Sequence, residues 1–286
     1  MIPRTKFRLR LPSRTLVLGE RTLIMGVLNV TPDSFSDGGK FFRPEAAVAR
    51  ALEMERAGAD ILDMGGESTR PGSQPLRASE ELARILPVLK PLRGKLKIPI
   101  SIDTQRAEVA QAAISAGAEI VNDISGLRFD KELAGLVARQ KAGIILMHMR
   151  GKPRTMQKGP FARDVMRDVI KGLRDALRRA KQAGIERRQI LLDPGIGFGK
   201  NYRQNFEILA RLPELAQLGY PLVVGTSRKS FIGAALDNVP ADQRAWGTAA
   251  TVAASILGGA HIVRVHDVKE MAQVAKIADR IAAARS

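Results

Sequence analysis

Residues 98–123, IPISIDTQRAEVAQAAISAGAEIVND, decide the fold. The segment opens with an apolar run at 98–102 that stops at Asp103-Thr104. Residues 107–116 then set alanines, Val109 and Ile114 at helical spacing, and Ala116-Gly117 closes the helix. Glycine suits that place because it takes the left-handed position after a last turn at no steric cost. A second apolar run, Ile120-Val121, begins within a few residues and ends on Asn122-Asp123. Such runs are too continuous for one-sided antiparallel strands and suit parallel strands buried on both faces.

The same unit recurs outward in both directions. Apolar runs lie at 23–28, 61–64, 98–102, 120–121, 144–147, 190–192, 222–224 and 262–265, eight in all. Helical patterns at 44–57, 78–89, 107–116, 161–183 and 268–284 separate them, and Ala57-Gly58 and Ala183-Gly184 repeat the closing signal. Ser79 with Glu80-Glu81 reads as a helix start. Eight βα units predict an α/β fold, a (β/α)8 TIM barrel, as a single domain over residues 1–286. A doubly wound sheet is the alternative, but the first βα turn lacks the glycine fingerprint such folds carry there. Before the barrel, Phe7, Leu9 and Leu11 alternate with Lys6, Arg8 and Arg10; Pro12-Ser13 turns the chain and 15–18 pairs back. Residues 1–21 are therefore expected to form a short N-terminal β-hairpin capping the barrel.

Composition narrows the partners. The 46 Lys+Arg exceed the 29 Asp+Glu and leave a net charge of +17, a long-range field that favours anions. Only 4% of residues are aromatic, which is poor for stacking exposed bases. Arg163, Arg167, Lys171, Arg174 and Arg178 recur every three or four residues and read as one solvated helix face. Nucleic acid is accordingly not an expected partner. The stretch 245–263 carries no charge for 19 residues, but Gly258-Gly259 interrupts it. It reads as a buried small-residue helix and then a strand, so no membrane partner is expected. Residues 1–11 carry charges throughout and lack the apolar core of an export signal. With no cysteine, disulfides and thiolate metal sites are excluded, which fits a reducing compartment.

Each apolar run gives way to polar residues. The first run ends at Asn29, the second at Asp63, the third at Asp103-Thr104 and the fourth at Asn122-Asp123. The other four lead to His148, Asp193, Ser227-Arg228-Lys229-Ser230, and Arg264 with His266-Asp267. A single such residue is a turn former or helix cap. Eight in register form a ring on the C-terminal rim, where barrels of this kind hold their active sites. Arg228, Lys229, Arg264 and His266, joined by Arg70, suit a phosphate or pyrophosphate. Asp103, Asp193 and Asn122 are acceptor-rich and suit a flat heterocycle with several N–H donors. Asn29 offers an oxygen to Mg²⁺, which takes few protein ligands beside substrate phosphates. The run Gly195-Ile196-Gly197-Phe198-Gly199-Lys200 fits neither the Walker spacing nor the dinucleotide fingerprint, but is plausible as a rim loop. His261 precedes a strand and is expected at the bottom of the barrel, whereas His148 is ambiguous between packing and the site. No histidine pair has the spacing of a zinc motif.

These loops resemble a known family. Asn29-Val30-Thr31-Pro32-Asp33-Ser34-Phe35-Ser36-Asp37-Gly38-Gly39 and Gly65-Gly66-Glu67-Ser68-Thr69-Arg70-Pro71-Gly72 are similar to the two signatures of the dihydropteroate synthases. Ser101-Ile102-Asp103-Thr104, Val121-Asn122-Asp123-Ile124-Ser125-Gly126, Asp193 to Lys200, Ser227 to Ser230 and Arg264 to Asp267 resemble the family's further motifs in order. The resemblance implies condensation of (7,8-dihydropterin-6-yl)methyl diphosphate with 4-aminobenzoate, giving 7,8-dihydropteroate and pyrophosphate in folate synthesis. It implies that Asp103, Asn122, Asp193 and Lys229 hold the pterin. Arg70, Arg264 and His266, with Thr69 nearby, would hold the pyrophosphate, and Asn29 would bind Mg²⁺. Phe35, Pro71, Phe198, Lys229 and Ser230 would shape the aminobenzoate pocket, and Asp103, Lys229, Arg264 and His266 would carry catalysis. It further implies a cytoplasmic homodimer that sulfonamides inhibit. Arg150 and Asn201 depart from the family pattern, which often has Gln and Thr there, and the high positive charge is not part of its signature. A folate-dependent methyltransferase module, a non-catalytic paralogue and a nucleic-acid-binding protein are the rival readings. The complete first loop and the Arg264/His266 pair argue against the first, and the intact motifs against the second.

Overall fold

Strands with apolar side chains on both faces must be covered on both, and a closed barrel ringed by helices does so. The computed structural model describes residues 4–31, 43–67, 76–151, 156 and 159–284. The hairpin strands β1 (Phe7–Arg10) and β2 (Thr15–Leu18) pair antiparallel, Phe7 opposite Leu18. Eight parallel strands come next: β3 (Leu23–Asn29), β4 (Ile61–Gly65), β5 (Ile100–Asp103), β6 (Ile120–Asp123), β7 (Gly143–Met147), β8 (Ile190–Asp193), β9 (Val223–Val224) and β10 (Ile262–Val265). Each pairs with the next in sequence from β3 to β8, and β10 pairs with both β3 and β9. A parallel bridge between Leu192 and Leu222 joins the last edges and closes the barrel.

The helices are α1 (Pro44–Arg56), α2 (Ala78–Leu92), α3 (Ala107–Ser115), α4 (Lys131–Gln140), α5 (Val165–Gln182), α6 (Tyr202–Ala210), α7 (Ser230–Ala235), α8 (Ala245–Leu257) and α9 (Val268–Ala283). Differences from the sequence pattern lie at the ends. Helix α2 begins at Ala78 as the pattern has it and runs on to Leu92 through Pro87. Ser79 lies inside its first turn and is not the start, because the Arg77 amide donates to the Glu80 carboxylate at 2.8 Å. Helix α5 starts at Val165, where the Asp164 carboxylate accepts from the Arg167 amide at 3.1 Å. Stretch 245–263 is helix α8 and then β10, as the pattern predicts, and no described helix is long and apolar enough to cross a membrane. Arg163, Arg167, Lys171, Arg174 and Arg178 are all exposed, a solvated face of and just before α5.

Parity along the strands creates the site. Met25, Ile61, Ile120, Ile145, Leu191, Val223 and Ile262 form one buried apolar cluster inside the barrel. The hairpin seals it from below with Leu9, Leu11 and Leu18. His261 stands at that lower end as expected: its Nδ1 accepts from the Leu222 amide at 3.1 Å and Nε2 lies 3.0 Å from the Thr5 carbonyl. Side chains alternate along a strand, so residues two further on face the same interior. Those residues include Asp63, Asn122, Asp193 and Arg264. An apolar floor thus carries a polar layer above it.

Candidate active site

Arg264 organises the polar layer. Its Nε donates to Asp63 Oδ2 at 2.6 Å and its Nη2 to Asp103 Oδ2 at 3.0 Å. Asn122 Nδ2 donates to the same Asp63 oxygen at 3.2 Å. Asp63 is fully buried, and its Oδ1 has no hydrogen-bond partner among the described residues. Two carboxylates against one guanidinium leave one unbalanced negative charge in this group. Burial pushes Asp103 up to about 7; the Arg264 guanidinium opposes that shift, and Asp63, Glu81 and Asp123 add to it. A buried carboxyl titrating near neutrality is a mark of functional sites.

The opposite wall is the loop after β8. Asp193 is buried, and its Oδ1 accepts from the Gly195 amide at 2.6 Å. Burial raises its pKa, with Lys229, Arg264 and Lys200 pulling the other way. Lys229 sits at the N-cap position of α7, donates to the Ile196 carbonyl, and has its ammonium 4.9 Å from the centre of the Phe198 ring. Burial pushes Lys229 down to about 8. Phe198 is half-buried beside Ile124, Met147, Met149 and Met156, and Ser230 is exposed at the start of α7.

The remaining expected residues divide. His266 lies past β10 with Nδ1 2.9 Å from Ser227 Oγ, which also accepts from the His266 amide at 3.2 Å. Arg228 is instead turned to Asp267, Nε to Oδ2 at 3.1 Å and Nη2 to Oδ1, so its charge is spent on the rim. Asn29 is the last residue of β3, half-buried at the mouth. Phe35, Thr69, Arg70 and Pro71 lie outside the described residues. Asp63, Asp103, Asn122, Asp193, Lys229 and Arg264 are thus brought together, while Arg228 is not.

Two residues of the site environment, Asp63 and Lys200, take no assigned role from the sequence alone, which also leaves His148 open between packing and the site. Asp63 was visible only as a strand end; its parity with Ile61 was the signal that it points inward. Lys200 is 1% exposed, with Nζ between the carbonyls of Gly195, Phe198 and His148 and 3.0 Å from His148 Nδ1. His148 is buried, with Nε2 3.5 Å from Asp168, and burial and the Lys200 charge push it down to about 4, so its ring is neutral at pH 7. Its ring is packed between Lys200 and Asp168. Of the two departures, Asn201 caps α6 by accepting from the Gln204 amide at 2.9 Å, and Arg150 pairs with Asp168 at 3.0 Å.

Comparison with known proteins agrees with this geometry. Residues 25–266 match the family model described as pterin binding enzyme. A dihydropteroate synthase of Synechocystis sp. is 51% identical over 92% of this chain and 91% of its own length. The solved dihydropteroate synthase of Xanthomonas albilineans with 4-aminobenzoic acid superposes with a TM-score of 0.90 at 40% identity, covering 97% of this chain and 98% of that one. That of Yersinia pestis in a sulfonamide drug complex gives 0.91 at 41% identity, covering 97% and 100%.

Proposed function

The chain belongs to the pterin-binding enzyme family and, within it, to the dihydropteroate synthases, and from that premise we propose how its own residues carry the reaction. The enzyme joins (7,8-dihydropterin-6-yl)methyl diphosphate to 4-aminobenzoate and releases pyrophosphate. The observation that carries the residue assignment is the polar layer over the apolar floor, with two carboxylates, Asp63 and Asp103, bridged by the single guanidinium of Arg264.

Asp103, Asn122 and Asp193 accept from the pterin's N–H groups, with Lys229 as a cation at the same wall. Asp63 is fully buried behind them and acts through Arg264 and Asn122, which both donate to it. Arg264 and His266, with Arg70 and Thr69 of the second loop, take the diphosphate. Phe198 and Ser230, with Phe35 and Pro71, shape the aminobenzoate side. The carbon–oxygen bond breaks with its electron pair leaving on pyrophosphate, and positive charge spreads into the pterin. The unbalanced negative charge of the Asp63–Asp103–Arg264 group stabilises that developing cation, a preorganised electrostatic effect that costs no reorganisation. The neutral arylamine then forms the carbon–nitrogen bond and loses a proton.

Asn29 fits a magnesium ion of a particular kind. It offers one uncharged oxygen, and among the described residues no group of three or more His, Asp or Glu is placed to hold a metal. That donor set suits a hydrated Mg²⁺ held mainly by substrate phosphates and is unsuited to a resident cage. Bound there, the ion would neutralise charge on the diphosphate. We also infer a cytoplasmic homodimer. The absence of cysteine supports the compartment, and Trp246 on α8, 87% exposed, with Ile277 and Ile281 on α9 offers apolar surface to a second copy.

The test is direct: purified protein with the dihydropterin diphosphate, 4-aminobenzoate and Mg²⁺, monitored by mass spectrometry. Dihydropteroate should form, vanish on chelation and fall with a sulfonamide. A folded protein that yields none refutes the assignment, and light scattering reads the dimer.

A further inference from the structure

Lys200 ends the loop after β8, is buried to 1% exposure and spends its ammonium on protein groups. Its Nζ lies 2.7 Å from the Gly195 carbonyl, 3.0 Å from that of Phe198 and 3.2 Å from that of His148. A fourth partner, His148 Nδ1, is at 3.0 Å. An ammonium has three donors, so this one is fully engaged, with two contacts sharing a proton. The loop can wind around it because Gly195, Gly197 and Gly199 have φ of 66°, 85° and 68°, where a side chain is strained. It also lies hard against the chain after β7: a Cβ on Gly195 would stand 1.9 Å from the His148 carbonyl oxygen, and one on Gly199 2.2 Å from that of Arg150.

Three features of the proposed pocket hang on this loop. Gly195 donates to Asp193 at 2.6 Å, the Ile196 carbonyl receives the Lys229 ammonium, and Phe198 carries the ring beside that ammonium. Lys200 holds the carbonyls of Gly195 and Phe198 on either side of Ile196. Its charge also faces Asp193, as do those of Lys229 and Arg264. Burial pushes Lys200 down to about 7, with Asp193 and Asp168 opposing that shift and the cations Lys229 and Arg128 adding to it. It is fully an ammonium only below that pH, and the neutral His148 ring stands beside it.

We propose that Lys200 is the positioning residue of the pterin pocket, a buried ammonium that winds the 193–200 loop around itself and stands as a countercharge behind Asp193. The residue touches no reacting atom. Its effect passes through Asp193, Lys229 and Phe198, and it rests on the assignment of Asp193 to the pterin.

The experiment compares Lys200→Met, Lys200→Gln and Asp193→Asn with the unaltered enzyme. It measures kcat and the KM for dihydropterin diphosphate from pH 5.5 to 9, with melting curves to count folded protein. Lys200→Met should raise the pterin KM about 10- to 100-fold, the scale of one or two lost charge-assisted hydrogen bonds, with kcat per folded enzyme within about threefold. The fall of pterin affinity on acidification should move to higher pH, because Asp193 then protonates without one of its facing cations. If Lys200→Met does not fold, Lys200→Gln keeps a donor for the carbonyls without the charge. It should show the same shifted acid limb with a smaller KM change. A lower kcat at unchanged KM, or an acid limb that does not move in the folded variant, overturns the proposal and leaves Lys200 a purely structural residue. Asp193→Asn separates the two failures. If it leaves the pterin KM unchanged, the assignment of Asp193 falls; if it raises the KM while neither Lys200 variant does, only the role of Lys200 falls.

Discussion

Replacing Asp103 by Asn tests the electrostatic account of the reaction. In the structure Arg264 bridges Asp63 at 2.6 Å and Asp103 at 3.0 Å, so the group carries one excess negative charge. Asp103→Asn leaves a neutral Arg264–Asp63 pair. A unit positive charge about 4 Å from a carboxylate is stabilised by about 4 kcal/mol at an effective dielectric constant near 20. Only part of a full charge develops in the transition state, so about 3–4 kcal/mol is lost. At about 1.4 kcal/mol per decade that is about 10²- to 10³-fold in kcat. Binding suffers less, because Asn keeps an acceptor oxygen, and the pterin KM should stay within about tenfold. Steady-state kinetics with saturating 4-aminobenzoate reads both numbers, and single-turnover quenching confirms that the chemical step has slowed. A kcat reduced less than about tenfold, or a KM effect larger than the kcat effect, refutes a role for Asp103 in stabilising the cation.

The same groups set further expectations. The profile of kcat/KM against pH should be a narrow bell: activity falls below about 7 as Asp103 takes a proton and falls above about 8 as Lys229 loses one. Asp103→Asn should abolish the acid limb in kcat and leave the loss of pterin affinity that Asp193 sets. The same raised carboxyl acts on stability in the opposite sense. The folded chain keeps a proton that the unfolded chain has lost above about 4, so this group's contribution to stability declines as pH rises from about 4 to 7, readable by urea denaturation. Arg106→Met should cost about 3–5 kcal/mol, because the Arg106 guanidinium lies 2.6 Å from Glu67 and 3.0 Å from Glu81, and Glu81 is fully buried. Burial already raises the Glu81 pKa, so that deficit should shrink on acidification; a loss under about 1 kcal/mol at pH 8 would count against the ion pair. Gly195→Ala should lower stability and pterin affinity together through collision with the His148 carbonyl, while Gly184→Ala, with φ of 82° and nothing near its Cβ position, should cost only about 1–2 kcal/mol and leave kinetics unchanged.

Legibility in the sequence tracked the range of the interactions. The eight strands, the hairpin and most helices were readable because burial on two faces demands runs such as 144–147, and because Ala-Gly pairs mark left-handed helix ends at Gly58, Gly117 and Gly184. The fold rule then placed Asp103, Asn122, Asp193 and Arg264 on one rim without any knowledge of their contacts. Those features depend on near neighbours in the chain, or on a topology that local pattern specifies.

The partner of each charge is another matter. Arg264 lies 201 residues from Asp63 and 161 from Asp103, and only strand register and barrel closure bring the three together. Arg228 and Lys229 are adjacent in sequence, yet the turn at Arg228, with φ of 59°, sends one to Asp267 on the rim and the other into the pocket. Lys200 looks in sequence like a solvent-facing lysine after three glycines. Its burial arises because the loop curls back on the end of β7, where three carbonyls and His148 replace water. Residue type and period are local properties and survive in one dimension. The direction of a side chain, its solvation and its countercharge are set by segments distant along the chain, so they exist only once the barrel has closed.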